Sequence, residues 1–195
     1  RQRANNEDVK MRFKGLAARH KAERAAWEKS ARSEAERTPI GFQYASRCIS
    51  DLLGPDTILV NEYPLDLRHA PPPAAGTYFG ASHSAGLGWG FGAALGAKLG
   101  APDKTVIVTL GDGSYIFNVP TACHQVAAAS GLPLLIIVFN NGAWDEVSNS
   151  TRNVHPDGTA VSTDNFPFVF YGQLVQERDG AVKHLGYAST LSAGI

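Results

Sequence analysis

Cysteine is scarce in this chain: 195 residues contain two, Cys48 and Cys123, far apart and each within a helical pattern. There is no CxxC and no Cys/His spacing suited to a metal. This excludes a disulfide framework and a structural zinc site, and we read both as buried, reduced thiols of a cytoplasmic protein. Excess charge is missing too. Lys plus Arg total 18 and Asp plus Glu total 18, and no basic stripe repeats, so nothing argues for a nucleic-acid partner. No run approaches the roughly 20 apolar residues of a membrane helix, and no signal peptide is evident, so no membrane partner is expected. The chain opens on Arg1 rather than Met, with the character of mid-helix. We read it as a piece of a longer polypeptide.

What is present is alternation. Residues 5–37 are rich in Ala, Lys, Arg and Glu, and Asn6 fits an N-cap ahead of Glu7 and Asp8. Val9, Phe13, Leu16 and Trp27 recur at helical spacing, with Gly15 the one weak point. This predicts a long amphipathic connecting helix, charged on its outer face, that ends at Thr38-Pro39. A second helix is expected over 41–53, stopped by Gly54-Pro55. Then come a buried strand at 57–60, a Pro-rich loop over 64–83, a Gly/Ala-rich helix from Leu87 to Leu99 and a strand at 105–110. A helix over 119–130 and the apolar run LPLLIIVF at 132–139 follow. Strands without polar alternation are buried on both faces. Interleaved with helices, they predict an α/β fold: a doubly wound parallel sheet with helices on both faces, preceded by a long N-terminal linker helix.

In such sheets ligands bind at the carboxyl ends of strands. Two loops fall there: Gly111-Asp112-Gly113-Ser114 and Asn140-Asn141-Gly142-Ala143. Residues 114–139 between them are enough for one helix and one strand, so the loops belong to successive βα units. Gly111 and Gly113 let backbone approach a phosphate closely, and N–H groups entering a helix favour an anion. The Asp112 carboxylate would repel a bare phosphate. A magnesium ion resolves the conflict, since it takes about six hard oxygens shared between protein and phosphate. Asp112 supplies one oxygen, the Asn141 side chain a second and a backbone carbonyl just beyond it a third. Asp112 is the only carboxylate expected to face this metal, because Asp145 lies past the carbonyl ligand. Read singly, GDG is a tight turn and NN a helix cap; paired at strand ends, they favour a metal–phosphate site.

The pair GDGS and NNGAW, with YFGASHSAGLGWG upstream, resembles the thiamine-diphosphate signature of the 2-oxo-acid decarboxylase and acetolactate synthase group. The resemblance runs from about Ile40 to Pro156 and is closest to benzoylformate-decarboxylase-like and acetolactate-synthase-like sequences. It implies thiamine diphosphate and Mg2+ as cofactors, with Asp112, Asn141 and the Ala143 carbonyl as metal ligands and Gly113 and Ser114 against the diphosphate. It implies that Leu87, between Gly86 and Gly88, wedges between the cofactor's two rings and holds them in a V. Ala85 stands where relatives often have Gly. His83, in the loop before Leu87, is the candidate acid–base group, and otherwise a loop histidine. Trp144 is read as shaping a pocket or as a core aromatic, Asn61 and Glu62 as possible cofactor contacts, and His155 and Asp157 as surface turn residues.

The implied activity is decarboxylation of a 2-oxo acid, or transfer of the resulting acyl carbanion. The family's glutamate that acts on the pyrimidine comes from a pyrimidine-binding domain of the same or a partner subunit, typically in a homodimer or tetramer, and no residue here matches it. Domains are therefore expected as 1–37, a helical linker from an absent middle domain; 38–165, the diphosphate and metal-binding domain; and 166–195, an atypical tail. That tail holds a strand-like piece at 168–175 and a turn at Asp179-Gly180. Two rivals stand beside this reading: a non-catalytic cofactor-binding or assembly module, and a nicotinamide-binding Rossmann domain. The second lacks GxGxxG at its first βα turn.

Overall fold

Four short strands make one sheet: β1 (Thr57–Asn61), β2 (Tyr78–Gly80), β3 (Thr105–Gly111) and β4 (Leu135–Phe139). All neighbours are parallel, in the order β2-β1-β3-β4. The structure is a computed structural model that describes residues 6–80 and 86–157, and the backbone of 175–178 and 181–184. Helices α1 (Asn6–Ser33), α2 (Phe42–Ser50), α3 (Gly90–Gly100), α4 (Asp112–Phe117), α5 (Pro120–Ala129) and α6 (Asp145–Val154) alternate with the strands. Beyond them, β5 (Val175–Arg178) and β6 (Ala181–His184) pair antiparallel.

Strand periodicity divides the core into two. Because successive side chains point to opposite faces, Ile58, Val60, Val106, Val108 and Leu110 pack on one side with Phe91, Ala94, Leu95 and Tyr115. Leu59, Ile107 and Phe139 pack on the other with Ala45, Ile49, Leu65 and Ala70. Helices α3 and α4 thus cover one face and α2 the other, which is the expected doubly wound arrangement. Phe91 is fully buried, worth about 1.5–3 kcal/mol of transfer free energy. The chain passes from β1 to the edge strand β2 and then back to β3 on the other flank of β1. The strand order therefore reverses between β1 and β3, where open α/β sheets place their ligands.

Several expectations change. The strand β2 lies in the predicted Pro-rich loop; at three residues it is too short to show a period. The predicted helix from Leu87 begins only at Gly90, because Gly88 adopts φ +93, outside helical space. Helix α4 starts directly at the Asp112 carboxylate of the predicted GDGS loop, and α6 was not expected from its polar sequence. Strand β4 is five residues long, and four of these are only half-buried, because it forms one edge of the sheet rather than its centre. Cys48 is exposed rather than buried, on the outer side of α2. In α1 only Ala31 is buried, while Val9, Met11, Phe13 and Leu16 are exposed. Its last turns dock on α2 through the Glu28–Arg47 ion pair at 2.8 Å and the Ser30–Gln43 hydrogen bond. The predicted strand piece at 168–174, the Asp179-Gly180 turn and the rest of the 166–195 tail lie outside the described residues, save the β5 and β6 backbone.

Candidate functional site

The carboxyl ends of β1, β3 and β4 meet at one cavity of about 240 Å³. At the end of β3 the chain turns from Gly111 straight into α4, so Asp112 sits at the mouth of that helix while remaining 3% exposed. One carboxylate oxygen accepts the Gly113 N–H at 3.0 Å, and the other accepts the Gly142 N–H at 2.9 Å. The second bond joins the GDGS and NNGA loops directly. Burial pushes the Asp112 carboxyl up; the N–H donors of Gly113 and Gly142 pull it back, and the nearby Asp145 pushes it up again. No lysine, arginine or histidine among the described residues pairs with it.

At the end of β4, Asn141 is oriented from both sides. Its Oδ1 accepts the Ala143 N–H at 3.0 Å, and its Nδ2 donates to Asp145 Oδ2 at 2.9 Å. The second contact requires a correction, since Asp145 does not lie past the site. As the first residue of α6 it folds back against Asn141, and both Asp145 and Glu146 line the cavity. Tyr63 joins them: burial and the adjoining Glu146 and Asp145 carboxylates raise its phenol. Trp144 lines the cavity and meets Phe117 edge-on at 5.3 Å. A Cβ added to Gly113 would stand 2.6 Å from the Trp144 ring, so glycine is required there by the aromatic lid.

Leu87 lines the same cavity as Gly111, Asp112, Gly113, Ser114, Asn141 and Ala143. Gly86 is exposed at the start of the turn that carries it. His83 and Ala85 lie outside the described residues. Asn61 and Glu62 do not line the cavity. Asn61 braces the sheet end, accepting from Leu65 N and the Thr109 hydroxyl and donating to the Tyr78 hydroxyl. Glu62 binds the backbone of the 86–90 turn, together with Asn118, a residue that sequence reasoning passed over. The one available signal was an acidic residue at the end of a fully buried strand. His155 and Asp157 are exposed, as expected of surface turn residues.

Among the described residues the cavity's lining carries carboxylates and no basic side chain, a surface suited to a cation, and no described Lys, Arg or His pairs with Asp112. The lining side chains of Asp112, Asp145, Glu146 and Asn141 offer hard oxygens, the preference of magnesium rather than of a soft metal.

Comparison with known proteins gives the same direction. Residues 66–181 match the family described as thiamine pyrophosphate enzyme, C-terminal TPP binding domain. The probable 2-ketoarginine decarboxylase AruI of Pseudomonas aeruginosa is 32% identical over 89 residues, which are 45% of this chain and 15% of that protein. The acetolactate synthase large subunit of Haemophilus influenzae is 44% identical over 55 residues, 28% of this chain and 9% of that protein. A solved structure, the thiamine diphosphate-dependent 4-hydroxybenzoylformate decarboxylase of Rhodococcus jostii RHA1, aligns with a TM-score of 0.53 at 27% identity, over 62% of this chain and 23% of that one. The chain spans only a small part of the length of each of these relatives.

Proposed function

This chain belongs to the family of thiamine pyrophosphate enzyme C-terminal TPP-binding domains, and from that premise we propose that its cavity holds the cofactor's diphosphate through Mg2+ in an enzyme acting on 2-oxo acids. The observation that carries the proposal is the direct bond from Gly142 N–H to Asp112, which brings both loops to one place around a buried carboxylate that no described Lys, Arg or His pairs with. In this reading Asp112, Asn141 and the Ala143 carbonyl hold the metal, and Gly111, Gly113 and Ser114 give the diphosphate a close backbone surface. Gly86 gives the turn its freedom and Leu87 supplies the apolar wedge against the rings.

When bound, the cofactor supplies an electron sink for the bond between the substrate's carboxyl and carbonyl carbons. The residues of this chain bind and orient. Asp112 offsets metal charge, the Asp145 bond fixes which face of the Asn141 amide looks inward, and Trp144 over Gly113 closes the cavity against water. Thr109 and Asn61 hold the two strand ends in register beneath it. The proposed reaction is decarboxylation of a 2-oxo acid, or transfer of the acyl unit to a second acceptor. His83, in the loop before Leu87, is the proposed acid–base group.

The pyrimidine-binding domain completes the site in this proposal, from the same subunit or a partner in a homodimer or tetramer. We propose residues 1–37 as the linker to a preceding domain and 38–165 as the binding domain proper. The two free thiols fit a reducing compartment such as the cytoplasm. The test is binding of thiamine diphosphate by the full-length protein with and without magnesium, followed by assay of 2-oxo acids. Binding that requires the metal, with no response to NAD, is the expected result. Decarboxylation by this 195-residue polypeptide alone would contradict the shared site.

A further inference from the structure

Glu62 follows the last residue of β1 and does not line the cavity. It is 9% exposed, and its carboxylate accepts three hydrogen bonds. One oxygen takes the Gly88 N–H at 2.5 Å; the other takes the Gly90 N–H at 2.6 Å and the Asn118 Nδ2 at 3.0 Å. Asn118 is itself fixed, donating to the Ser114 carbonyl and accepting the Phe91 N–H. The same turn packs closely against its neighbours. Gly88 adopts φ +93, and a Cβ there would lie 2.8 Å from the Phe117 carbonyl oxygen. At Gly90 a Cβ would meet the Glu62 carboxylate at 2.7 Å.

Leu87 precedes Gly88. Fixing the Gly88 N–H fixes the plane of the Leu87–Gly88 peptide and with it the place of the Leu87 Cα, from which the side chain reaches the cavity. A peptide plane held by a charge-assisted bond beside a glycine packed closely against the Phe117 carbonyl has little freedom left. We infer that Glu62 is a positioning residue for cofactor binding: it clamps the 86–90 turn so that Leu87 projects into the cavity, and it touches neither metal nor cofactor. This rests on the reading of the cavity under Proposed function. The chemistry calls for a carboxylate. Two acceptor oxygens meet three donors, whereas glutamine has one acceptor and would turn an N–H toward a backbone N–H.

The test uses the full-length protein and four variants: Glu62→Gln, Glu62→Asp, Leu87→Ala and the double variant Glu62→Gln/Leu87→Ala. In the cofactor-free protein, Glu62→Gln should speed amide exchange at Gly88 and Gly90 by about tenfold while leaving β3 amides unchanged. With magnesium present, Glu62→Gln should weaken thiamine diphosphate binding by about tenfold, but by less than about twofold when Leu87 is already alanine, because the two act as one unit. If Glu62→Gln does not fold, Glu62→Asp keeps the charge and should show a smaller loss, again smaller when introduced beside Leu87→Ala. Equal losses in both backgrounds, or faster exchange with unchanged affinity, would make Glu62 a residue of the fold alone and overturn the inference. Wild-type protein that does not bind thiamine diphosphate with magnesium would overturn the cavity reading as well.

Discussion

Adjacent strands of this sheet end in buried carboxylates with opposite situations. Glu62, after β1, has every oxygen engaged by donors of its own domain. Asp112, after β3, is more deeply buried yet accepts only backbone N–H groups, and burial pushes its carboxyl up. A buried charge costs free energy unless paired or fully hydrogen-bonded. Glu62 meets that requirement with three donors, one of them the Asn118 amide, whereas Asp112 has two backbone donors and burial still pushes its carboxyl up; in the reading proposed above, a cation supplies the rest. In that reading the difference separates a group whose partners all lie within the fold from one that the fold offers to a ligand.

Substitutions can break or sharpen this contrast. The largest effect is expected at Glu62→Ala, which leaves the Gly88, Gly90 and Asn118 donors without their acceptor. We expect a loss of about 2–4 kcal/mol in cofactor-free stability by urea unfolding. Gly88→Ala should follow at about 1–3 kcal/mol, since it forces a Cβ into left-handed backbone against the Phe117 carbonyl. A smaller effect belongs to His124, whose Nε2 meets the Tyr115 hydroxyl at 2.7 Å and whose ring stands edge-on to Phe91. Burial depresses its pKa below the ordinary 6.5. A depressed histidine contributes stability present above 6.5 and lost as pH falls through its lower folded value. Unfolding midpoints should therefore decline on acidification through that window, and His124→Phe should flatten the decline. Asp112→Asn should disturb the cofactor-free fold less than Glu62→Ala, by about 1 kcal/mol, because it removes a buried charge but turns an amide N–H toward one of the Gly113 and Gly142 N–H groups. If Asp112→Asn and Glu62→Ala destabilise equally, the contrast between them fails.

Much of this was legible in the residues. Apolar runs without polar alternation at 57–60 and 105–110 announced central strands, and glycines flanking Asp112 announced a strand-end site. What escaped were features decided by long-range contact. Asp145 follows the NNGA loop in sequence, but its return to Asn141 depends on how α6 leaves β4. Glu62 and Asn118 are 56 positions apart and meet only because β1 and β3 are neighbours. The exposure of β4 could not be seen either, because an edge strand and a central strand can share the same apolar run. In α1 the apolar periodicity at Val9, Phe13 and Leu16 is real, yet these side chains meet solvent in this chain. Periodicity reports a face, and not what covers it.

The most direct test of the central claim is calorimetric titration of magnesium and thiamine diphosphate into the full-length protein and its Asp112→Asn variant. The substitution keeps size and one oxygen but removes the negative charge that a hard divalent ion needs. The account predicts that cofactor affinity in the variant falls at least tenfold, about 1.4 kcal/mol, with only a small drop in its cofactor-free melting temperature. Unchanged affinity would make Asp112 a turn residue and contradict the account, and the metal would then have to be sought at Asp145 and Glu146.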